Sequence, residues 1–332
     1  MKALLSTQIG GPESLVLSDI AAPMAGPGEV LIQVRAVGMN YPDVLIIEDK
    51  YQFKPGRPFA PGGELAGVIK AIGEGVSGFA MGQRVLASMG WGGLAEEVAV
   101  PAQRCIAIPD AMPFTEAAAF LMTYGTSHYA LKNRARLTPG ETLLVLGAAG
   151  GVGIAAVELG KAMGARVIAA VSSEDKLQFA KSCGADDGII YPTGPLDKDA
   201  QRQLSEQLKQ ACSGGADVVY DAVGGDYAEP ALRAINWEGR YLVIGFPAGI
   251  PKIPLNLTLL KSCQIVGVFW GAFVARDPAG NAENIEELFA HYQAGKIRPR
   301  ISATYPLERG AEAIRALADR KAQGKLVVTI GS

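Results

Sequence analysis

The chain contains 332 residues, of which 49% are hydrophobic and 19% are charged, so it can bury a sizeable core. A length of this size favours about two domains. Its 31 basic and 33 acidic residues leave a formal net charge of −2, and no basic excess is available to neutralise a nucleic-acid backbone. The most apolar stretch, residues 143–157, is too short and too rich in glycine to span a bilayer, and the first residues lack the apolar segment of a signal peptide. We therefore expect neither nucleic-acid binding nor membrane insertion.

The cysteines and histidines give no metal-binding pattern. Neither His128 nor His291 lies near a cysteine in sequence, and no HExxH, CxxC or GxSxG motif is present. Widely spaced cysteines in a long chain are typical of reduced, buried thiols, which indicates a cytoplasmic protein. The four cysteines are Cys105, Cys183, Cys212 and Cys263.

The first 110 residues read as short strands separated by Gly/Pro clusters. Strands are predicted over residues 30–37, 64–72, 83–87 and 95–100, which favours an antiparallel barrel or sandwich. The pattern changes at Thr115, which can cap a helix that carries Glu116 in its first turn.

From Glu141 the chain alternates between apolar strands and helices. Strands are predicted near residues 143–147, 166–171, 217–220 and 241–245, and this alternation indicates a parallel sheet covered on both faces. The chain is expected to return to the first domain near Val268. Helices are then predicted over residues 284–293 and 309–321.

A glycine-rich loop, GAAGGVG, occupies residues 147–153 between a buried strand and a helix. Missing side chains let the backbone approach a pyrophosphate, and the helix N-terminus offers N–H groups and a partial positive charge. A second strand follows after about 15 residues, as a dinucleotide-binding loop requires. We predict a Rossmann half here; the alternative is a purely structural strand-to-helix turn.

The end of the second strand favours NADPH over NADH. An NAD enzyme usually has a carboxylate there for the ribose 2′-hydroxyl, whereas this chain has Ser172 at the strand end and Lys176 shortly after it. A hydroxyl and an ammonium group can bind a 2′-phosphate, and Tyr191 after the next strand can add a donor. The alternative is that Glu174 or Asp175 contacts the ribose and Lys176 is solvated.

Further motifs are spread along the whole chain. They are NYPD at 40–43 with Tyr51 following, PGGELAGVIKAIGEGV at 61–76, GQRV at 82–85, MTYGTSHYAL at 122–131, YDAVGG at 220–225 and RKAQGKLVV at 320–328. As a set, these motifs and the glycine-rich loop resemble those of the zinc-free, zeta-crystallin-like NADPH:quinone oxidoreductases of the medium-chain dehydrogenase/reductase superfamily. The resemblance implies an α/β fold in which a Rossmann doubly wound parallel sheet (122–267) joins a GroES-like β-barrel catalytic domain (1–121 and 268–332). It also implies a homodimer that pairs the edge strands at residues 264–269.

The zinc-dependent alcohol dehydrogenases differ at the positions of their ligands. They have Gly-His-Glu where this chain has Gly62-Gly63-Glu64, their first cysteine ligand belongs near Asn40, and their four-cysteine lobe would follow residue 90. The resemblance therefore implies no catalytic zinc. Without a Lewis acid, a conjugated acceptor is favoured because delocalisation spreads the charge that hydride addition creates. The expected substrate is a quinone or another α,β-unsaturated carbonyl compound.

Roles for individual residues follow from the same resemblance. Asn40 and Tyr51 match the catalytic positions, although Asn40 can instead form an Asx turn and Tyr51 can simply be part of the wall. Tyr41, His128 and Trp270 are expected in the wall of the substrate pocket, although aromatic residues more often lie in the core. Arg320 is expected at the 2′-phosphate or, alternatively, only at its helix C-terminus. The expected cofactor-binding residues are Asn40, Thr126, Gly150, Gly151, Val152, Ser172, Lys176, Tyr191, Val223, Phe246, Phe269 and Arg320.

Three functional hypotheses remain from the sequence. The first is an NADPH-dependent reductase of quinones or enones, with the proton supplied by solvent or a tyrosine. The second is an enoyl-thioester reductase of the acryloyl-CoA type, which would be expected to need a basic entrance. The third is an NADPH-binding protein with little turnover.

Overall fold

The computed structural model describes residues 1–331, and the chain forms two compact units. Unit 1 comprises Met1–Met122 together with the chain from Pro299 onward, and unit 2 comprises Thr123–Arg298. Within residues 1–331, no helix combines the length and apolar character needed to cross a bilayer.

Fifteen strands and eleven α-helices form the two units in the described part of the chain. The strands are β1 (Lys2–Ser6), β2 (Leu15–Asp19), β3 (Glu29–Gly38), β4 (Glu64–Ile72), β5 (Arg84–Ser88), β6 (Glu97–Pro101), β7 (Cys105–Ala107), β8 (Thr142–Leu146), β9 (Arg166–Val171), β10 (Asp187–Ile190), β11 (Ala216–Asp221), β12 (Ile235–Val243), β13 (Gln264–Gly267), β14 (Ile301–Pro306) and β15 (Lys325–Thr329). The helices are α1 (Tyr41–Ile47), α2 (Phe114–Ala117), α3 (Thr126–His128), α4 (Gly151–Ala162), α5 (Glu174–Ser182), α6 (Lys198–Ala211), α7 (Ala228–Arg233), α8 (Asn256–Lys261), α9 (Trp270–Arg276), α10 (Pro278–Gln293) and α11 (Gly310–Ala318). Two π-helical turns, Leu121–Gly125 and Tyr129–Arg134, flank α3.

Unit 1 is built on a seven-stranded sheet with the order β14-β15-β3-β4-β5-β7, and β6 also pairs with β3. All of its pairs are antiparallel except β14 with β15. β3 bonds to three strands because its first half pairs with β6 and its last residues pair with β15. Its alternation is as predicted, since Val34 is buried while Gln33 is exposed. The core of this unit lies between the sheet, α1 and α11.

Unit 2 contains a six-stranded parallel sheet with the order β10-β9-β8-β11-β12-β13. The chain order of the strands reverses between β8 and β11, as in a doubly wound sheet, so the predicted α/β class is confirmed. α4 packs closely on this sheet: a Cβ on Gly160 would lie 2.6 Å from Leu143 Cδ2. Close packing of this helix on β8 aims its N-terminus at the carboxyl edge of the sheet.

The return of the chain to unit 1 is corrected from residue 268 to Pro299. Residues 268–298 belong to unit 2 because α9 and α10 pack within it. Trp270 at the start of α9 lies against Gly125, and Lys132 Nζ donates to Asn284 Oδ1 on α10 at 3.0 Å. α10 also begins earlier than predicted, at Pro278, because the Asp277 side chain accepts the Gly280 N–H and caps the helix.

Two further helix boundaries differ from the sequence prediction. The helix expected to be capped by Thr115 starts one residue before it, at Phe114, after Pro113 in the N-cap position. The helix expected over 309–321 ends at Ala318. All four cysteines are free and buried, which confirms that part of the sequence prediction.

Candidate functional site

The glycine-rich loop joins the end of β8 at Leu146 to the start of α4 at Gly151. Gly147 has a φ of +71°, a conformation that L side chains rarely adopt. A Cβ on Gly153 would lie 2.2 Å from the Gly147 carbonyl oxygen, so this position accepts only glycine without movement of the loop. The first N–H groups of α4 have no partner within the helix and, with its dipole, favour an anion at this end. Gly150, Gly151 and Val152 therefore occupy the helix N-terminus where a pyrophosphate is expected.

Ser172, Lys176 and Tyr191 come together at the carboxyl ends of β9 and β10. Lys176 Nζ donates to Ser172 Oγ at 3.1 Å, and the Tyr191 N–H donates to the Val171 carbonyl at 2.8 Å. The Tyr191 ring is buried against Tyr227, with ring centroids 4.9 Å apart.

The two acidic residues after β9 lie at the exposed start of α5. Glu174 and Asp175 are exposed, and Glu174 Oε1 accepts a hydrogen bond from Gln178 Nε2 at 2.6 Å on the surface of α5. The neighbouring Ser173 caps α5 by accepting the Lys176 N–H at 3.4 Å. The hydroxyl and ammonium groups at this strand end therefore favour a phosphate over a ribose hydroxyl.

Asp221 fixes the loop that follows β11, which lies beside the glycine-rich loop because β11 and β8 are neighbouring strands. Its carboxylate accepts the N–H groups of Val223 and Gly224 at 2.8 and 2.9 Å and the Tyr241 hydroxyl at 2.6 Å. Burial raises the pKa of this carboxyl. A Cβ on Gly147 would lie 3.0 Å from Val223 Cγ2, so Val223 lies beside the glycine-rich loop, where the strand order reverses.

Asn40 in unit 1 belongs to a buried polar network. Its Nδ2 donates to the Gly38 carbonyl at 3.1 Å and to Glu64 Oε2 at 2.9 Å, while its Oδ1 accepts from Lys325 Nζ at 2.7 Å. Its N–H donates to Asp43 Oδ2 at 2.8 Å, which anchors the start of α1. The side chain is thus held by residues from three separate parts of unit 1.

Lys325 and Glu64 form the centre of this network. Lys325 Nζ lies 3.2 Å from Glu64 Oε2 and also donates to the Met39 carbonyl at 3.0 Å. The two side chains are 5% and 1% exposed. Neither residue was predicted from the sequence to have a role. The available signals were a lysine at the start of an otherwise apolar strand for Lys325 and a glutamate at the start of another for Glu64. Charged residues are almost never buried unless they are paired.

The Asp43 carboxyl and the Tyr51 hydroxyl, both in unit 1, have raised pKa values. Asp43 accepts the Gly62 N–H at 3.0 Å, and burial raises the pKa of its carboxyl to about 6. Burial and the charge of Asp43 raise the pKa of Tyr51, so its hydroxyl keeps the proton at neutral pH and can donate. The Tyr51 ring makes an edge contact with Phe53, with centroids 5.8 Å apart. Tyr41 is the first residue of α1 and is partly exposed.

His128 and Trp270 are held against α10. His128 is 1% exposed, and its Nε2 lies 3.1 Å from Glu287 Oε2; burial lowers the pKa of its imidazole to about 4. Its Nδ1 has no hydrogen-bond partner among residues 1–331. Trp270 Nε1 donates to Asn281 Oδ1 at 3.2 Å, so both rings take part in the packing of unit 2. Thr126, the first residue of α3, is partly exposed.

Phe246 and Phe269 line a groove of about 540 Å³ that we call the β12–β13 groove, because the last residues of both strands border it. Phe246 is 43% exposed and Phe269 is 54% exposed. Arg320, the last of the predicted cofactor residues, lies in unit 1 beyond the end of α11 and has a φ of +58°. Within residues 1–331, no three His, Cys, Asp or Glu side chains converge on a point where they could hold a metal ion.

The chain matches two family models. The model described as the alcohol dehydrogenase GroES-like domain covers residues 26–110, and the model described as zinc-binding dehydrogenase covers residues 151–288. The first match falls on the antiparallel sheet of unit 1, and the second begins at the first residue of α4.

Full-length relatives agree with these matches. A quinone oxidoreductase-like protein 2 homolog from Nematostella vectensis is 37% identical, and the alignment covers 98% of this chain and 88% of that protein. The solved quinone oxidoreductase of Thermus thermophilus, described with its NADPH complex, is 35% identical with a TM-score of 0.85, covering 99% of this chain and all of that one. A mycobacterial protein solved in complex with NADPH is 29% identical with a TM-score of 0.91 and 99% coverage of both chains.

Proposed function

This chain belongs to the quinone oxidoreductase family of the medium-chain dehydrogenase/reductase superfamily, and from that premise we propose that it uses NADPH to reduce a quinone or another α,β-unsaturated carbonyl compound without a metal ion. The observation that carries the proposal is the Lys176–Ser172 pair at the end of β9. An ammonium group beside a hydroxyl at this strand end is the donor set that a ribose 2′-phosphate requires.

The residues of unit 2 fit NADPH at two further points. In the glycine-rich loop, Gly153 lies so close to the Gly147 carbonyl oxygen that a Cβ would not fit. A loop without side chains at this point suits a backbone that must contact a pyrophosphate. The loop held by Asp221 brings Val223 beside Gly147. The carboxyl ends of β8, β9 and β11 thus supply a phosphate-binding edge of the kind that dinucleotides occupy in doubly wound sheets.

In the proposed reaction, bound NADPH supplies the hydride. The chain itself has to orient the acceptor, exclude water and provide a proton. Phe246 and Phe269, whose side chains carry no polar atoms, form part of the wall of the β12–β13 groove and would help to exclude water once a ligand covers them. Tyr51, which keeps its proton at neutral pH, is our candidate donor.

A matched pair of lysine variants tests the cofactor assignment. NADPH and NADH oxidation would be followed with benzoquinone, 1,4-naphthoquinone, a simple enone and crotonyl-CoA, with a chelator present. Lys176→Met should raise the KM for NADPH about 10-fold, since a hydrogen bond to a charged group contributes about 1.5–3 kcal/mol, and should leave the KM for NADH within about 2-fold. Lys181→Met is the control, because Lys181 lies on the same helix and pairs with Asp187 on the surface.

The result can also reject the proposal. Equal use of NADH and NADPH by the native protein, or an equal effect of Lys176→Met on both, would show that no 2′-phosphate binds there. Loss of activity in the chelator would contradict metal independence. A preference for crotonyl-CoA would favour the thioester reductase. Tight NADPH binding without oxidation by any acceptor would favour the binding protein.

We also propose that the protein forms a homodimer through the outer edge of β13, and that it is cytoplasmic. β13 is the last strand of its sheet, and Ile265 on it is 38% exposed. Leu259 and Leu260 on the preceding α8 are 80% and 65% exposed, and apolar surface of this kind next to a strand edge supports burial against a second copy. Light scattering at micromolar concentration should give twice the chain mass; a monomer would contradict the proposal.

A further inference from the structure

The loop that follows α1 leaves the helix through a position that usually belongs to glycine. The Lys50 N–H donates to the Leu45 carbonyl at 2.9 Å, and the Asp49 N–H donates to the Ile46 carbonyl at 3.3 Å. These two bonds form a Schellman motif, in which the residue at the place of Asp49 is left-handed and most often glycine. Asp49 has a φ of +55°, a conformation less favourable for an aspartate than for a glycine. A side chain at this position must therefore be stabilised by contacts elsewhere.

The Asp49 carboxylate pairs with Arg57, which lies at the other end of the same loop. Arg57 Nη1 is 2.8 Å from Asp49 Oδ1, and the two side chains are only 16% and 25% exposed. In the described part of the chain this buried Oδ1 accepts no hydrogen bond, so the ion pair is what compensates its charge.

The guanidinium group of Arg57 is itself fixed by other parts of unit 1. Its Nη2 donates to the Ile47 carbonyl at 2.9 Å, and its Nε donates to Ser6 Oγ at 3.2 Å. Its central carbon lies over the Phe59 ring, 5.4 Å from the ring centroid. Asp49 is thus held against a cation that has little freedom to move.

The ion pair joins the two ends of the loop formed by residues 49–57, and this loop carries Tyr51. Residues 52–54 are exposed, whereas Tyr51 is partly buried against the apolar core of unit 1 and makes the edge contact with Phe53. Apolar contacts are not directional, so they do not fix the direction of a hydroxyl group. The position of the Tyr51 hydroxyl therefore depends on the course of the loop backbone, which begins at Asp49.

We propose that Asp49 and Arg57 are positioning residues for Tyr51, and that their ion pair sets the place from which the Tyr51 hydroxyl donates its proton. The inference rests on the proposed function, in which the acceptor takes a hydride from NADPH and one proton. Tyr51 gives that proton and regains one from solvent. Without the ion pair the loop gains conformations, and fewer of them direct the hydroxyl at the acceptor.

Asp49→Asn tests this role because asparagine keeps the size of the side chain, tolerates the left-handed conformation and removes the charge. With 1,4-naphthoquinone and saturating NADPH, kcat should fall at least about 10-fold, since a small misplacement of a reacting group is this costly. The KM for NADPH should stay within about 2-fold, because the proposed phosphate positions lie in unit 2. Glu48→Gln is the matched control: Glu48 is the preceding residue, its partner Lys50 is exposed, and kcat should not change.

Tyr51→Phe distinguishes positioning from a general loss of structure. In this background Asp49→Asn should change kcat by less than about 2-fold, because the donor that it positions is already absent. An equal effect of Asp49→Asn in both backgrounds, or an unchanged kcat in the native background, overturns the inference. Asp49→Gly is a second variant that keeps the end of α1, since glycine suits the left-handed position. It should lower kcat as Asp49→Asn does, and native activity in this variant overturns the inference.

Two further readouts separate failure of this inference from failure of the proposed function. If Tyr51→Phe keeps the native kcat, Tyr51 is not the donor and the inference fails, while NADPH-dependent turnover still supports the proposed function. No turnover of any acceptor by the native protein refutes the proposed function and, with it, the role of Tyr51. Hydrogen exchange of residues 48–58 needs no turnover: faster exchange in Asp49→Asn than in Glu48→Gln supports the ion pair as the closure of the loop, and equal exchange overturns the inference.

Discussion

Replacing Lys325 with methionine removes one half of the buried ion pair that holds Asn40. In the native chain, the ammonium group lies 2.7 Å from Asn40 Oδ1, 3.0 Å from the Met39 carbonyl and 3.2 Å from Glu64 Oε2. Methionine preserves most of the side-chain volume and none of the three contacts, so the variant isolates the charge and its hydrogen bonds.

The expected loss of stability is about 4 kcal/mol, since removing one partner of a buried ion pair leaves an uncompensated charge at a cost of about 3–5 kcal/mol. Glu64 would keep two donors, Asn40 Nδ2 and the Met122 N–H, both at 2.9 Å, but no cation. Adding Glu64→Gln removes the stranded charge, so the double variant should be about 2 kcal/mol more stable than the single variant, which is a coupling typical of residues in contact.

Urea denaturation followed by far-ultraviolet circular dichroism would give the free energies of unfolding. Hydrogen exchange with mass spectrometry would show whether the loss is confined to peptides of unit 1, because a chain with two units need not unfold in one step. Lys321→Met is the control, since Lys321 is 74% exposed and its ion pair with Asp319 lies at the surface. A loss below about 1 kcal/mol for Lys325→Met, or simple additivity in the double variant, would refute the reasoning.

Three further variants test other parts of the chain. Gly153→Ala should weaken NADPH binding at least 10-fold in fluorescence titrations and lower Tm, because its Cβ would meet the Gly147 carbonyl oxygen at 2.2 Å. The folded chain holds the pKa of His128 at about 4, below the usual 6.5, so the stability that this histidine contributes falls by about 3 kcal/mol as the pH falls from 6.5 to 4. His128→Gln should remove this contribution in urea melts at a series of pH values, and a variant whose stability changes with pH as the native protein's does would contradict it. Asp43, whose pKa is raised to about 6, has the opposite slope, and comparing the variant with the native protein cancels its contribution. Asp221→Asn should cost about 2 kcal/mol because an amide has only one oxygen for three buried donors, and equal thermal stability would refute this.

The sheet of unit 2 was predictable from sequence because its information is local. Each apolar strand is followed within a few residues by its helix. The glycine-rich loop marks the first of these connections, from β8 through α4 to β9. The same holds for Lys176 and Ser172, which are four residues apart and meet between the end of β9 and the first turn of α5. A pattern of this kind can be read without knowledge of the rest of the chain.

The features that the sequence did not reveal depend on contacts between distant segments. Lys325 and Glu64 are 261 positions apart, and neither has a local pattern that identifies the other. The return at Pro299 was misplaced for the same reason. The packing of Trp270 on Gly125 determines that residues 268–298 stay with unit 2, and periodicity along the chain does not encode that contact.

These distant partners also limit what Asn40 can do. A carboxamide has two N–H donors and two acceptor positions on its oxygen. Both donors of Asn40 are already used, by Gly38 and Glu64, and Lys325 takes one acceptor position. No N–H of the amide is left for an oxyanion, and its oxygen is already engaged by Lys325. In the proposed reaction, the proton must therefore come from another group, and Tyr51 or solvent remains as its source.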